Sequence, residues 1–256
     1  MQPVPLTPLG VGEILSHAFD IYRDRFGDLA RAVVVALLPL TAIRLLLDLV
    51  LLGIDDDQDA MTLLLVLVGG LLTLVAGQIA TAAAFQIAGG AYVGLRPTWE
   101  ESLSFGYARV RSVILLELLL AFFVLLGLLA LIVPGIYLAV AWQLAVPVLL
   151  FEGLGGSAAL RRSRELLSGR WWPAFGLVLL LGLLSTIVSA LVGTLVSGLT
   201  TDSNDVFDLL VFSLGNLASS VVTLPLMAAA TTVLYVQALA RRGEADLSEL
   251  ADRLSR

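Results

Sequence analysis

The chain contains no cysteine and no lysine, and it has a single histidine, His17. Without cysteine, a disulfide framework, a thiolate nucleophile and a cysteine-ligated metal are all impossible. A single histidine also excludes two-histidine metal sites and histidine-rich proton relays. The absence of lysine removes P-loop and Schiff-base chemistry. Since no recognisable nucleophile and base occur together, we expect a protein that is not an enzyme and that holds neither metal nor cofactor.

Charge is scarce as well: 14% of the 256 residues are charged and 59% are hydrophobic, whereas a soluble domain has about 25% charged residues. Residues 60–95, 171–201 and 209–240 carry no charge, and residues 112–151 carry only Glu117. A bilayer core of about 30 Å requires about 20 apolar residues in a helix. These runs therefore predict an all-α polytopic membrane protein. The pI near 4.7 argues against nucleic acid as a partner.

The uncharged runs predict a six-span membrane domain over residues 1–240, with a tight turn at residues 133–135 between the third and fourth spans. The polar segment before each pair of spans predicts an interfacial helix, three in all, and residues 241–256 are predicted to be a cytoplasmic tail. Thr98 and Glu101 have the spacing of a capping box. The predicted spans are 29–53, 61–92, 113–132, 136–151, 173–199 and 209–240, and the interfacial helices are 10–27, 98–111 and 157–169.

The first interfacial segment has apolar residues at the spacing of one helical face. Two interpretations stay open for it: the apolar face lies in the membrane interface, or it packs on the transmembrane bundle. The apolar residues are Val11, Ile14, Leu15, Ala18, Phe19, Tyr22 and Phe26.

The distribution of arginine predicts the orientation of the chain in the membrane. Fourteen of the 15 arginines lie in residues 1–31, 96–111, 152–172 and 241–256, and the alternate loops hold none. Positive residues in short loops mark the cytoplasmic side. We therefore expect a multi-pass protein of the cell membrane with both termini in the cytoplasm.

Polar side chains within the spans are candidate functional groups, because such groups are costly in lipid. Arg44 and Asp48 have i,i+4 spacing and can pair along one helix face. Glu117 has two interpretations, an intramembrane site or an ion pair with Arg109 or Arg111. The uncharged polar residues within the spans are Gln78, Gln86, Gln143 and Asn216. They form hydrogen bonds that hold helices together or, if they converge, line a polar path.

A basic segment in the third polar stretch contains Arg161, Arg162 and Arg164. Arginines at a membrane surface attract anionic lipid, at about 1 kcal/mol for each residue. These three side chains are candidate contacts for lipid headgroups, although the topology rule alone also places arginine there.

Two stretches resemble the glycerophosphoryl diester phosphodiesterase membrane domain family. The first is residues 9–15 with Ala18-Phe19-Asp20-Ile21-Tyr22-Arg23 and Phe26. The second runs from Val133-Pro134-Gly135-Ile136-Tyr137 through Trp142, Pro147 and Glu152 to Ala158–Ser163 and Trp171-Trp172. In some members this membrane domain is joined to a catalytic domain that uses histidines and a metal. The resemblance implies a membrane domain without that catalytic set, and it implies no catalytic residue here.

Two functions follow from these observations. The first is a membrane anchor or scaffold without enzymatic activity, which contacts membrane lipids and either a protein partner or a second copy of the chain. The alternative is a small transporter or lipid-handling protein, in which Gln78, Glu117, Gln143 and Asn216 line a path.

Overall fold

The computed structural model of the protein describes residues 10–51, 59–199, 205–245 and 247–254. These residues form helices and no strand, which confirms the all-α class. The ends of the predicted first span and of the tail, and most of the acidic loops that follow the first and fifth spans, lie outside the described residues. The elements are α1 (Val11–Asp24), α2 (Phe26–Leu51), α3 (Asp59–Tyr92), α4 (Trp99–Ala130), α5 (Ile132–Ala141), α6 (Ala145–Pro147), a π-helix (Val148–Glu152), α7 (Gly156–Leu166), α8 (Trp171–Leu199), α9 (Asp205–Arg241) and α10 (Leu247–Leu254).

Six helical segments of the described chain are long and apolar enough to cross a membrane, as predicted. They are α2, α3, α4, the combined segment Ile132–Glu152, α8 and α9. At about 1.5 Å per residue, α3, α4 and α9 exceed a hydrocarbon core of about 30 Å. These three helices therefore extend beyond the membrane on at least one side.

The third span differs from its prediction. The sequence suggested an interfacial helix over residues 98–111 followed by a separate span over 113–132, but α4 is one continuous helix over Trp99–Ala130. No glycine or proline lies between Arg109 and Gly127, so nothing in the sequence interrupts the helix. The predicted capping box is confirmed, because Thr98 Oγ1 accepts from Glu101 N–H at 3.3 Å and Glu101 returns a bond to Thr98 N–H at 2.8 Å.

The predicted turn at Val133-Pro134-Gly135 is also misplaced. The chain reverses at Leu131, whose backbone is extended, and α5 already begins at Ile132. Pro134 lies in the first turn of α5, where a missing N–H costs no hydrogen bond. The fourth span is then broken into α5, α6 and the π-helix, in place of the single helix expected over residues 136–151.

Helix α1 packs on the bundle, against α9 and α8, and this observation favours the second of the two interpretations given for it. Ile14, Ala18 and Ile21 are buried in that contact, while Phe19 is exposed. The buried face is therefore rotated slightly from the expected one. The chain turns out of α1 at Arg25 and continues directly into α2.

The core of the molecule is built from small residues on α3 and α9. Residues 82–84 and 228–230 are all alanine and all buried, and small side chains let membrane helices approach closely. Helix α9 contacts α1, α2, α3 and α8, so it lies at the centre of the bundle. This core lies at the end of the bundle that carries residues 10–31, 96–111, 152–172, 241–245 and 247–254, which we call the arginine-bearing end. We call the opposite end the distal end.

Candidate functional site at the arginine-bearing end

A cluster of charged side chains surrounds Glu152, the last residue of the π-helix. Short π-helical segments frequently occur at functional sites. The Nε of Arg162 donates to both carboxylate oxygens of Glu152, at 2.9 and 3.2 Å, and the Tyr235 hydroxyl donates to Oε1 at 3.0 Å. Arg162 also donates through a second nitrogen to Glu244. Thus one carboxylate joins α7 to α9 through the end of the fourth span.

The charge of Arg162 is set by two opposing effects. Burial lowers its pKa, but the hydrogen bonds and charges of Glu244 and Glu152 outweigh burial and raise the pKa of Arg162 above its usual value. Only 20% of the Arg162 side chain and 16% of the Glu152 side chain are exposed. The guanidinium is therefore permanently charged and held in one place.

Two further arginines extend this cluster to the last helix of the described chain. Arg253 on α10 donates to the carbonyl oxygen of Phe151 at 3.2 Å, and Arg242, just after α9, donates to the carbonyl oxygen of Glu165 on α7. We call Glu152, Arg162, Tyr235, Glu244 and Arg253 the clamp cluster. It fixes the short helices α7 and α10 to the ends of the fourth and sixth spans.

A second buried guanidinium belongs to Arg25, at the junction of α1 and α2. It is 4% exposed, pairs with Asp28 at 3.0 Å and donates to the carbonyl oxygen of Pro97 at 2.5 Å. One of its nitrogens, Nη1, has no hydrogen-bond partner in the structure. Arg25 therefore ties the loop before α4 to the start of the first span.

A cleft of about 500 Å³ lies beside that loop, between the last turns of α3, the first turns of α4 and the end of α10. Small-molecule sites have volumes of about 300–1,000 Å³. The polar side chains that line the cleft come from Gln86, Arg96, Glu101, Ser104 and Arg109. It is therefore large enough for a small ligand and carries two guanidinium groups.

The three arginines predicted to contact lipid headgroups have different surroundings. Arg161 is 78% exposed and lies 3.9 Å from Glu165, and Arg164 is exposed too. Both are accessible to a headgroup. Arg162 is less accessible, because Glu152 and Glu244 of the clamp cluster pair with its guanidinium. Contact of these arginines with lipid headgroups stays a prediction.

The charged candidates within the spans lie in two separate places. Arg44 and Asp48 do pair along α2, at 3.4 Å, and the Arg44 side chain lies against Gly69 of α3. Glu117 on α4 lies close to the Gln78 side chain on α3. Within the described residues Glu117 has no ion pair with an arginine, so its partner is neither Arg109 nor Arg111.

The two remaining candidates do not join these pairs. Asn216 is exposed on α9. Gln143 lies in the break between α5 and α6, where its Oε1 is buried without a hydrogen-bond partner. The polar side chains predicted to line a path are therefore distributed over different faces and breaks of the bundle.

Sequence reasoning missed most of the site. Glu152, Tyr235, Glu244 and Arg253 were not candidates, because they are more than 80 residues apart in places and no motif relates them. One signal was available: Glu152 follows a long apolar run, and an acidic residue at such a position is expensive unless it is paired. Arg25 gave no signal as a site residue, whereas Gln86 is one of the uncharged polar residues within the spans. Among the described residues, no group of three or more histidine, aspartate and glutamate side chains could hold a metal ion.

Residues 103–256, more than half of the chain, match the family described as a domain of unknown function, DUF8558. The chain belongs to this family. No curated protein and no solved structure matches the chain significantly. The DUF8558 region includes the whole clamp cluster and the α4 residues of the cleft from Ser104 onwards. The resemblance to the glycerophosphoryl diester phosphodiesterase membrane domain family stays a prediction.

Proposed function

We propose that this DUF8558 protein is a membrane anchor or scaffold without enzymatic activity, and that its arginine-bearing end is a fixed docking platform on the cytoplasmic face of the cell membrane. The observation that carries the proposal is the clamp cluster. It uses partly buried charges to hold α7 and α10 against the ends of the spans. Such charges cost free energy to desolvate, and their geometric effect is to fix the position of two short helices.

Several arginines of this platform are exposed. Arg161 and Arg164 are exposed on α7, and Arg96 is exposed in the loop before α4. Fixed positive charges favour association with acidic surfaces through complementary potentials. The partner that suits this platform is therefore a protein with an acidic surface, held beside anionic lipid.

Transport has less support than docking. A transport path requires polar groups gathered near mid-membrane, but Asn216 is exposed and Gln143 lies in a helix break. Gln78 and Glu117 alone form a polar contact between α3 and α4. A single polar contact of this kind commonly stabilises the packing of two membrane helices.

The orientation can be tested directly because the chain lacks cysteine. Ser157→Cys on α7 and Thr62→Cys on α3 introduce single thiols at exposed positions on opposite ends. A membrane-impermeant maleimide added to whole cells should label Thr62→Cys and should label Ser157→Cys only after permeabilisation. The reverse pattern would contradict the proposed topology.

Docking is tested by copurification from native membranes in polymer-bounded nanodiscs, with quantitative mass spectrometry. The unmodified protein should retain a partner at fixed stoichiometry. Arg162→Gln, which breaks the clamp cluster, should reduce that partner about tenfold, whereas the distal control Asp48→Asn should retain it. The proposal fails if the unmodified protein retains no protein partner at fixed stoichiometry. It also fails if Arg162→Gln inserts normally into the membrane and retains as much partner as the Asp48→Asn control does.

A further inference from the structure

The geometry points to the cleft between α3 and α4 as a binding site for a phosphate ester that carries a hydroxyl group, either the headgroup of a lipid or a small soluble molecule. This inference concerns a ligand in the cleft. It does not depend on whether the arginine-bearing end docks a protein.

Arginine supplies the charge for the phosphate. Arg109 and Arg96 line the cleft. The Arg109 guanidinium lies 3.7 Å from the centre of the Phe105 ring and makes no ion pair with a carboxylate among the described residues, while Arg96 has a long contact of 3.7 Å with Asp24. The planar fork of arginine matches phosphate oxygens in two parallel hydrogen bonds. Both side chains thus have donors to spare for an anion.

One carboxylate also lines the cleft, but it is already engaged. Glu101 Oε2 accepts from the backbone N–H of Thr98 at 2.8 Å. The formal charges of the lining are therefore two positive and one negative, with the negative group committed to the helix cap. The Ser104 hydroxyl is a further possible donor to a phosphate oxygen.

The hydroxyl of the ligand is inferred from Gln86. This side chain lines the cleft and is 5% exposed. Its Nε2 donates to the carbonyl oxygen of Leu254 at 2.8 Å, but its Oε1 is buried and has no hydrogen-bond partner among the residues that the structure describes. Leaving a buried acceptor unsatisfied costs about 1–3 kcal/mol. Gln86 lines the same cleft as two arginines, and this combination suits a ligand that has both an anionic group and a donor.

The walls of the cleft are fixed before any ligand binds. A Cβ on Gly90 would lie 2.7 Å from Pro97 Cδ, so the loop packs directly on α3. Arg25 holds the Pro97 carbonyl oxygen, and the capping box fixes the start of α4. A site formed in advance does not pay the cost of ordering its loops on binding.

The position of the cleft suits a headgroup. Helix α4 has 32 residues and is about 48 Å long at about 1.5 Å per residue. About 12 of these residues exceed a hydrocarbon core of about 30 Å. If the excess lies at the polar end of α4, Ser104 and Arg109 are at the level of the lipid phosphates.

The test compares two soluble probes and one lipid in phosphatidylcholine nanodiscs. The probes are 2-hydroxyethyl phosphate and ethyl phosphate, which differ by one hydroxyl, measured by calorimetry. The lipid is phosphatidylglycerol at a minor fraction, measured by native mass spectrometry. Arg109→Gln should weaken binding about tenfold or more, since hydrogen bonds between charged groups contribute about 1.5–3 kcal/mol. Arg111→Gln, an exposed arginine on the same helix that does not line the cleft, should change binding less than about twofold.

A second variant tests the role of Gln86 separately from folding. Gln86→Met should abolish the preference for 2-hydroxyethyl phosphate over ethyl phosphate while ethyl phosphate still binds. A ratio between two probes does not change when a variant only lowers the folded fraction.

The two sources of the ligand give different results. Saturable binding of 2-hydroxyethyl phosphate that depends on Arg109 assigns a soluble ligand. Retention of phosphatidylglycerol at fixed stoichiometry without soluble binding, lost in Arg109→Gln and kept in Arg111→Gln, assigns a lipid. Binding of neither probe nor lipid, or equal loss in both arginine variants, overturns the inference.

Discussion

The two ends of the bundle differ in how their apolar side chains are packed. At the arginine-bearing end, Phe151 is 1% exposed and its ring contacts Phe85 and Tyr235. Towards the distal end, Phe122 is 56% exposed, although it lies on a more apolar span than Phe151. Large exposed leucines, including Leu67, Leu125 and Leu195, mark the same region.

This difference shows that similar apolar sequences have two separate roles. In lipid, burying leucine against leucine gains little, because the lipid tails are equally apolar. The distal halves of the spans therefore need only be hydrophobic to anchor the chain in the membrane. Specific tertiary structure requires small residues, paired charges and close contacts, and these are concentrated at the arginine-bearing end.

The largest expected effect comes from deleting one aromatic ring at each end. Phe151→Ala removes a fully buried ring and should lower the free energy of unfolding by about 3–5 kcal/mol. Phe122→Ala removes an exposed ring and should change it by less than about 1 kcal/mol. Unfolding in mixed detergent micelles, followed by circular dichroism, measures both. Equal losses would remove the distinction between the two ends.

A smaller effect is expected from adding one methyl group. A Cβ on Gly106 of α4 would lie 2.7 Å from the backbone oxygen of Ile79 on α3, whereas a Cβ on Gly182 of α8 meets nothing within 4 Å. Gly106→Ala should destabilise the protein by about 1–3 kcal/mol through overpacking. Gly182→Ala should be neutral or should stabilise by up to about 1 kcal/mol, because alanine favours the helix.

The free energies of unfolding of Gly106→Ala and Gly182→Ala are measured by the same unfolding experiment. If Gly106→Ala were as stable as the unmodified protein, α3 and α4 would have to be further apart than the structure shows. That outcome would also weaken the cleft, whose walls these two helices form.

The all-α class and the six spans could be predicted because apolar runs of sufficient length have few other solutions in a membrane. Helix ends were harder. The break expected near Arg111 does not occur, since polar residues alone do not end a helix. The reversal occurs at Leu131, because Pro134 is acceptable inside the first turn of α5. Local composition therefore does not show whether a helix continues or ends at such a position.

The site could be predicted only in part, because its contacts join distant segments. The pair Arg44–Asp48 was predictable from i,i+4 spacing within one helix. The pair Arg162–Glu152 was not, because the broken fourth span brings Glu152 beneath α7. The partner of Glu117 is similarly on another helix, which spacing along α4 could not reveal.

The smallest expected effect is the difference in coupling energy between these two ion pairs, which double-mutant cycles measure. Arg162 and Glu152 join α7 to the fourth span through two hydrogen bonds, so unfolding separates them. Their coupling energy, from Arg162→Gln, Glu152→Gln and the double variant, should be about 1–2 kcal/mol. Arg44 and Asp48 belong to one helix, and Arg44→Gln with Asp48→Asn should give about 0.3–0.5 kcal/mol.

The low value for the distal pair has a physical reason beyond its exposure. A membrane helix that stays helical when the bundle comes apart keeps its i,i+4 contacts, so most of the pair's energy is present in both states and only a small remainder contributes to the free energy of unfolding. A coupling energy above about 2 kcal/mol for Arg44 and Asp48 would mean that the pair also depends on α3, against which Arg44 lies at Gly69. The distal end would then contain specific tertiary structure of its own, and the contrast between the two ends would have to be given up.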